Sequence, residues 1–290
     1  MQTTAIKYAD LHLHSNHSDG SLPPEELVEL AWQKGVNLLS LTDHDCLSGL
    51  AVAAEQACRL GLDFIVGVEL SARFKGGNLH ILGYGFDPTN GPLNEALTSF
   101  QQSRHQRNER MLHRLQALGL QITADEFLAE SKDSQSPGRP HMAQLIIAKG
   151  YCKNMQEAFD GYLNPGTPGF VSKEIFEPEE AINLIHQAGG MAILAHPSTL
   201  NRKGEELKNY ISKLKGWGLD GVEVYNSAHH PEEAEQYLKM TRELDLLITG
   251  GSDYHGHNKP DVQLGEWQPG RLIPLDWVSP EIFKAKEQCG

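Results

Sequence analysis

Short apolar runs alternate with amphipathic helix signals through most of this chain, and no other feature restricts its fold as strongly. Residues 8–13, 38–42, 64–68 and 79–82 read as strands, with helices expected over 24–34 and 48–60. Later, residues 191–195, 221–225 and 246–249 read as strands, with helices over 179–188, 205–217 and 232–244. Punctuation supports these bounds. Pro23 and Pro24 open a helix whose early Glu25 and Glu26 suit the positive end of its dipole, and Gly35 and Gly61 follow helix ends. Strands alternating with helices imply a parallel α/β sheet, and seven of them imply closure into a barrel.

The alternation breaks between residues 92 and 170, where the signals are helical alone. Leu97, Phe100, Met111, Leu112, Leu115 and Leu118 mark the apolar stripe of one long helix. Thr123-Ala124-Asp125-Glu126 is a capping box, Pro140 opens a third helix, and residues 154–163 form a fourth. The run Asn164-Pro165-Gly166-Thr167-Pro168-Gly169 is an exit hinge. The expectation is a barrel from residues 1–91 and 171–290, interrupted by an all-helical insertion, 92–170, that covers the active site. At 290 residues the chain is long enough for one such barrel.

Metal-ligating residue types fall where barrel strands end. Leu11 and Leu13 alternate with His12 and His14, so an extended backbone sends both imidazoles to one face. Asp19, His44, Glu69, His196, Asp253 and His255 also sit at or just past predicted strand ends. In a βα barrel those ends converge on the face where active sites are built. His80 departs from the rule by lying near the start of its strand, unless the short connection at Gly76-Gly77 makes that pair run back across the mouth. Buried imidazoles grouped with carboxylates are the usual ligands of divalent transition metals.

Composition closes off several alternatives. A formal net charge of −13 argues against a surface that coats duplex DNA, whose affinity rests on many basic contacts. No apolar run is long enough to span a membrane, and the N-terminus has no apolar signal core, so a cytoplasmic location is expected. Cys46, Cys58, Cys152 and Cys289 form no Cys-x-x-Cys pair and read as reduced thiols.

Asp-Leu-His-Leu-His with Ser-Asp-Gly, Leu-Thr-Asp-His-Asp, Gly-Val-Glu, Leu-Ala-His-Pro and Gly-Ser-Asp-Tyr-His resemble the ordered motifs of the PHP (polymerase and histidinol phosphatase) family of the amidohydrolase superfamily. The resemblance implies a distorted (β/α)7 barrel and a trinuclear site. One metal would take His12, His14, Glu69 and Asp253, a second Asp19, His44 and His255, and a third Glu69, His80 and His196. It implies two or three divalent ions, manganese first, with zinc or iron(II) as alternatives. His12, His14, Asp253 and His255 are the residues expected to carry catalysis. Three carboxylates among three divalent ions leave a cationic pocket suited to phosphate, whatever the sign of the whole chain.

The motif Gly138-Arg139-Pro140-His141 resembles a phosphoesterase subgroup similar to 3′,5′-nucleoside bisphosphate phosphatases, some of which trim short RNA. That implies a nucleotide substrate, short RNA as a further one, and a monomer or small homo-oligomer. Arg104 and Arg107 on one helix, Arg139 and His141 at a helix N-terminus, and Lys173 are expected at a second phosphate. Tyr225 and Asn226 at a strand end complete the substrate contacts. His229 and His230 are candidates for protonating the leaving group, with solvated loop residues as the alternative. The rival functions are histidinol phosphate phosphatase and a non-catalytic PHP interaction module.

Overall fold

The computed structural model describes residues 6–75, 79–132, 137–172 and 175–285. Residues 1–95 and 175–290 form one compact unit, and residues 96–174 form another. In chain order the elements are β1 (Tyr8–Leu13), α1 (Pro24–Gln33), β2 (Leu38–Leu41), α2 (Leu50–Leu60), β3 (Asp63–Ala72) and β4 (Leu79–Tyr84). Then come α3 (Gly91–Ala117), α4 (Ala124–Glu130), α5 (Arg139–Ala148) and α6 (Met155–Ala158), which runs into one π-helical turn, Phe159–Leu163. The alternation resumes with α7 (Pro178–Gln187), β5 (Met191–Leu194), α8 (Gly204–Gly216), β6 (Gly221–Asn226), α9 (Pro231–Glu243) and β7 (Leu247–Gly251), followed by β8 (Glu266–Gln268) and β9 (Arg271–Pro274).

In the first unit the strands lie in the order β7-β6-β5-β4-β3-β2-β1-β9-β8. β1, β2 and β3 are parallel, as are β5, β6 and β7, while β4 runs antiparallel to both its neighbours. Just past β7 the chain meets β1 again: Asp253 N–H donates to His12 O at 2.9 Å, and His14 N–H to Tyr254 O at 3.0 Å. The sheet is thereby nearly closed, a distorted barrel. Beyond the seven expected strands it gains β8 and β9, and β9 pairs antiparallel with β1. These two hold only three and four residues, too few to show a period.

The reversal of β4 resolves the anomaly of His80. Ser71 faces His80 and Glu69 faces Leu82 across the β3–β4 ladder, so the start of β4 lies at the same end as the finish of β3. In the first unit, Leu11, Leu38, Ile65, Leu82 and Ile193 are buried in one core. Each such side chain contributes about 1.5–3 kcal/mol relative to exposure. Tyr84 joins them by donating its hydroxyl to Leu11 O at 2.7 Å, which removes the cost of burying it unpaired.

The second unit has its own core, with Met111, Leu115, Phe127, Met142, Ile146 and Leu163 at its centre. The capping box at α4 is present: Glu126 N–H donates to Thr123 Oγ1 at 3.2 Å and Thr123 N–H to Glu126 Oε2 at 3.0 Å. Truncating Leu115, which is fully buried, is worth about 2–5 kcal/mol.

The reading of four reduced thiols needs correction. Cys46 and Cys152 are free, but Cys58 is disulfide-bonded. Cys58 stands in no Cys-x-x-Cys pair, so no spacing signature was there to read. Cys289 and the Gly76-Gly77 turn lie outside the described residues. Among the described residues no helix is long and apolar enough to cross a membrane.

Candidate metal centre and arginine cluster

β1 carries His12 and His14 inward because its alternate residues Leu11 and Leu13 are taken up by the core, each with no exposed surface. Around them the chain brings together all nine residues expected as ligands. Four groupings have ligand atoms within 4.8 Å of one another: His14–Asp19–His44–His255, His12–His14–Asp253, His12–Glu69–His196 and His44–Glu69–His80. Glu69 lies at the middle. Its Oε2 is 3.3 Å from His12 Nε2, 3.2 Å from His14 Nε2 and 3.1 Å from His44 Nδ1. Its Oε1 is 2.8 Å from His80 Nδ1 and 2.9 Å from His196 Nε2. Asp253 Oδ1 stands 3.3 Å from His14 Nε2, and Asp19 Oδ1 stands 3.2 Å from His255 Nε2. His14 thus belongs to the Asp19 group as well as to the Asp253 group, a sharing the family pattern did not imply.

Four atoms here are buried without a hydrogen-bond partner: His12 Nε2, His14 Nε2, His44 Nδ1 and Glu69 Oε2. Orphaned polar atoms are costly, and four that converge on one point are the donor set of a cation. The residues present therefore fit divalent metal ions. Burial disfavours the charged form of every group, yet imidazoles and Lys259 hold Asp19, Glu69 and Asp253 well below the usual carboxylate range. For His14, burial is outweighed by the nearby carboxylates of Asp253 and Glu69, which raise it to about 9. For His44 burial wins and lowers the ring to about 3.

The backbone is strained where these residues are presented. Asp45, His196 and Asp253 have φ of 52°, 23° and 56°, a region that residues other than glycine seldom occupy. Hydrogen bonds hold each in place: Asp45 accepts from Ser71 N at 2.9 Å, His196 N–H donates to Glu223 Oε2 at 2.7 Å, and Asp253 N–H donates to His12 O. Gly251 is required for a different reason, since a Cβ there would lie 2.3 Å from that of His12.

A supporting layer escaped the sequence reading. Three buried aspartates each clasp a serine: Asp10 with Ser252 Oγ at 2.6 Å, Asp43 with Ser15 Oγ at 2.6 Å, and Asp45 with Ser71 Oγ at 3.0 Å. Burial pushes Asp10 up to about 6 despite its hydrogen bonds. Lys259 Nζ lies 2.7 Å from Asp253 Oδ2, leaving Oδ1 as the oxygen turned to the imidazoles. Glu223, with no exposed surface, lies 2.8 Å from His12 Nδ1. Its one available signal was a carboxylate in the middle of the apolar run Val222-Glu223-Val224.

Two substrate contacts expected at the β6 end are placed otherwise. Asn226 is fully buried, its amide donating to Glu223 Oε2 at 3.0 Å and accepting from Ala228 N at 2.9 Å. Tyr225 packs against Trp267 and Trp277, with ring centroids 5.5 and 4.6 Å away. Strand-end position marked both, but the ladder shifts register between Glu223 and Tyr225. His229 is buried, with Nδ1 bonded to Val224 O at 2.9 Å, and His230 caps α9. His229 is therefore no solvated loop residue, whereas His230 is exposed, as the alternative reading had it.

The second unit gathers cations. Arg107 is only 3 % exposed, and its guanidinium bonds Asn108 Oδ1 at 2.6 Å. Burial, then the like charges of Arg104, Arg139 and Arg110, depress its proton affinity. Arg104 Nη1 and Arg107 Nη2 both approach Gly138, the residue that opens α5. Arg139 lies between the rings of Phe159 and Phe170, 5.7 and 5.8 Å from their centroids, and bonds Leu163 O. His141 is buried and accepts from Gly138 N at 3.2 Å. Arg110 is on the exposed side of α3, and Lys173 lies outside the described residues.

Residues 10–167 match the family described as the PHP domain. A 3′,5′-nucleoside bisphosphate phosphatase of Chromobacterium violaceum is 35 % identical over 268 residues, 92 % of this chain and 94 % of that protein. A 5′-3′ exoribonuclease of Haemophilus influenzae is 35 % identical over 249 residues, 86 % of this chain and 90 % of that protein. Among solved structures, an amidohydrolase from C. violaceum with bound sulfate and no metal aligns at a TM-score of 0.85 and 32 % identity, covering 97 % of this chain and 98 % of that one.

Proposed function

This chain belongs to the PHP family and is a metal-dependent phosphoesterase, and from that premise we propose that it removes the 3′-phosphate of nucleoside 3′,5′-bisphosphates, releasing nucleoside 5′-monophosphate and phosphate. The observation that carries this reading is the presence of two different phosphate-handling chemistries in one chain. One is the carboxylate–imidazole cluster with its four orphaned atoms. The other is a group of arginines, one of them buried among charges of its own sign. The phosphatase from C. violaceum supports the bisphosphate, and the exoribonuclease from H. influenzae supports short RNA as a further substrate.

His12, His14, Asp19, His44, Glu69, His80, His196, Asp253 and His255 would hold the metal ions, with manganese our choice and zinc or iron(II) suited to the same donors. Bound there, such ions supply Lewis acidity toward water and toward the phosphoryl oxygens. His12, His14, Asp253 and His255 act by fixing that chemistry in place. Lys259 keeps Asp253 to one free oxygen, and Glu69 joins the groups through its two oxygens. Arg104, Arg107, Arg139 and His141 take the 5′-phosphate. Each charge-assisted bond to it is worth roughly 1.5–3 kcal/mol, and orients the ester in a way that a monophosphate cannot recruit.

The test compares wild type with Arg139→Ala on a nucleoside 3′,5′-bisphosphate and on a simple phosphomonoester. The expected loss of kcat/KM is about ten- to a hundredfold on the bisphosphate, with little change on the monoester. Equal losses on both would mean that Arg139 serves the fold or the reaction centre, and the two-phosphate reading would fail.

A further inference from the structure

Glu223 meets three N–H groups, and the way it divides its two oxygens among them fixes more than its own position. Oε1 lies 2.8 Å from His12 Nδ1. Oε2 accepts from the backbone N–H of His196 at 2.7 Å and from Asn226 Nδ2 at 3.0 Å. Neither donor on Oε2 can be exchanged for an acceptor. A backbone amide cannot turn over, and the Asn226 side chain is pinned because its Oδ1 accepts from Ala228 N at 2.9 Å. The imidazole of His12 is the one partner whose proton can move, between Nδ1 and Nε2.

We propose that Glu223 is a positioning residue that holds the His12 proton on Nδ1 and so keeps the Nε2 lone pair available to a divalent transition metal. The inference rests on the metal-centre reading above. His12 Nε2 lies 3.3 Å from Glu69 Oε2 and 3.5 Å from Asp253 Oδ1, and has no hydrogen-bond partner of its own. A carboxylate behind the ring accepts, and only accepts, so it commits the ring to one tautomer.

The isosteric variant Glu223→Gln makes this sharp. The glutamine has one accepting oxygen, and the two fixed donors of His196 and Asn226 claim it. Its NH₂ then faces His12 Nδ1, which must accept, so the proton moves to Nε2 and points at Glu69 and Asp253. There it is well placed for the metal-free fold and badly placed for a metal. Glu223→Ala, by contrast, leaves a cavity and orphaned donors but imposes no tautomer. A structural role and a positioning role therefore rank the two variants in opposite orders.

The experiment uses the full chain stripped of metal, titrated with zinc by calorimetry. Thermal unfolding of the metal-free forms and nitrogen-15 histidine spectra of the zinc-loaded forms accompany it. The expected result is that Glu223→Gln weakens the tightest zinc site by about ten- to a hundredfold, more than Glu223→Ala does, while remaining the more stable of the two without metal. Wild type should show the His12 proton on Nδ1 in the zinc-loaded spectra. Zinc affinity in Glu223→Gln equal to wild type, or Glu223→Ala weaker than it in both affinity and stability, would overturn the proposal and leave the metal centre standing. Failure of wild type itself to bind zinc would overturn the metal-centre reading, and this inference with it.

Discussion

In the first unit, buried carboxylates and imidazoles alternate around Glu69, so that every charge has an opposite one within about a hydrogen-bond length. In the second unit Arg107 is buried just as deeply, yet the charges acting on it are those of Arg104, Arg139 and Arg110. The first arrangement is close to neutral by itself and can survive without its ligand, protons standing in where cations belong. The second is left with a charge that an arginine does not shed by deprotonation. It calls for an anion. The contrast is between a cluster that mixes signs, suited to cations, and one where arginines gather, which on our proposal takes an anion.

The comparison can be broken in several places. The largest expected effect is on turnover. Asp253→Ala should reduce phosphate release by about a thousandfold or more, with circular dichroism unchanged, because Asp253 lies past β7 and outside the apolar core. Substantial activity in the metal-loaded variant would remove Asp253 from the site. Next, Glu69→Gln should destabilise the metal-free protein by about 3 kcal/mol, the scale of removing one partner from a buried charge network. Urea unfolding in chelator reads this directly. Unchanged stability would mean that the imidazoles do not depend on Glu69.

Acidity gives a third comparison. The His14 ring is raised to about 9 in the folded chain from an ordinary 6.5. A raised imidazole stabilises the fold fully below the unfolded value and loses that contribution as pH climbs through the folded one. Metal-free protein should therefore lose stability between about pH 6.5 and 9, by this group's account. With zinc bound the slope should flatten, since the metal takes the place of the proton. Melting curves at several pH values, with chelator and with zinc, check both halves.

The smallest effect belongs to the arginines. Arg107→Met should leave the anion-free protein as stable or about 1–2 kcal/mol more stable, because a buried charge among like charges is replaced by an apolar chain of similar length. Sulfate at tenfold its dissociation constant should raise the melting temperature of wild type by roughly 2–4 °C, and Arg107→Met should abolish that rise. A sulfate response that survives the substitution would place the anion elsewhere.

The gathering of nine residues from His12 to His255 was legible because barrel topology converts strand ends into neighbours, however far apart they lie in sequence. His80 departed from the strand-end rule until β4 proved antiparallel to β3, a direction that no residue of the strand itself announces. Glu223 was not legible, because one carboxylate in a valine-rich strand looks like an interruption until its partners are known. The same holds for Asp10, Asp43 and Asp45, whose serine partners lie up to 242 positions away. Tyr225 and Asn226 were misplaced because a register shift in β6 changes which neighbours a strand-end residue meets. Short strands such as β8, and the bridge at Cys58, carry no local pattern to detect.

The clasp between Asp10 and Ser252 also has a consequence in time. During synthesis the chain emerges N-terminal end first, so the two histidines of β1 leave before the residues that will face them. Their companions Ser252, Asp253 and His255 appear much later, Ser252 being 242 positions after Asp10. The second unit, whose contacts span residues 96–174, can settle well before then. Because contacts of such long range pay their loop-closure entropy last, the reaction centre is the final part of the protein to exist. A nascent chain would carry early histidines that no ion could yet hold in place, and ribosome-bound chains cut short before residue 252 should be unable to retain zinc.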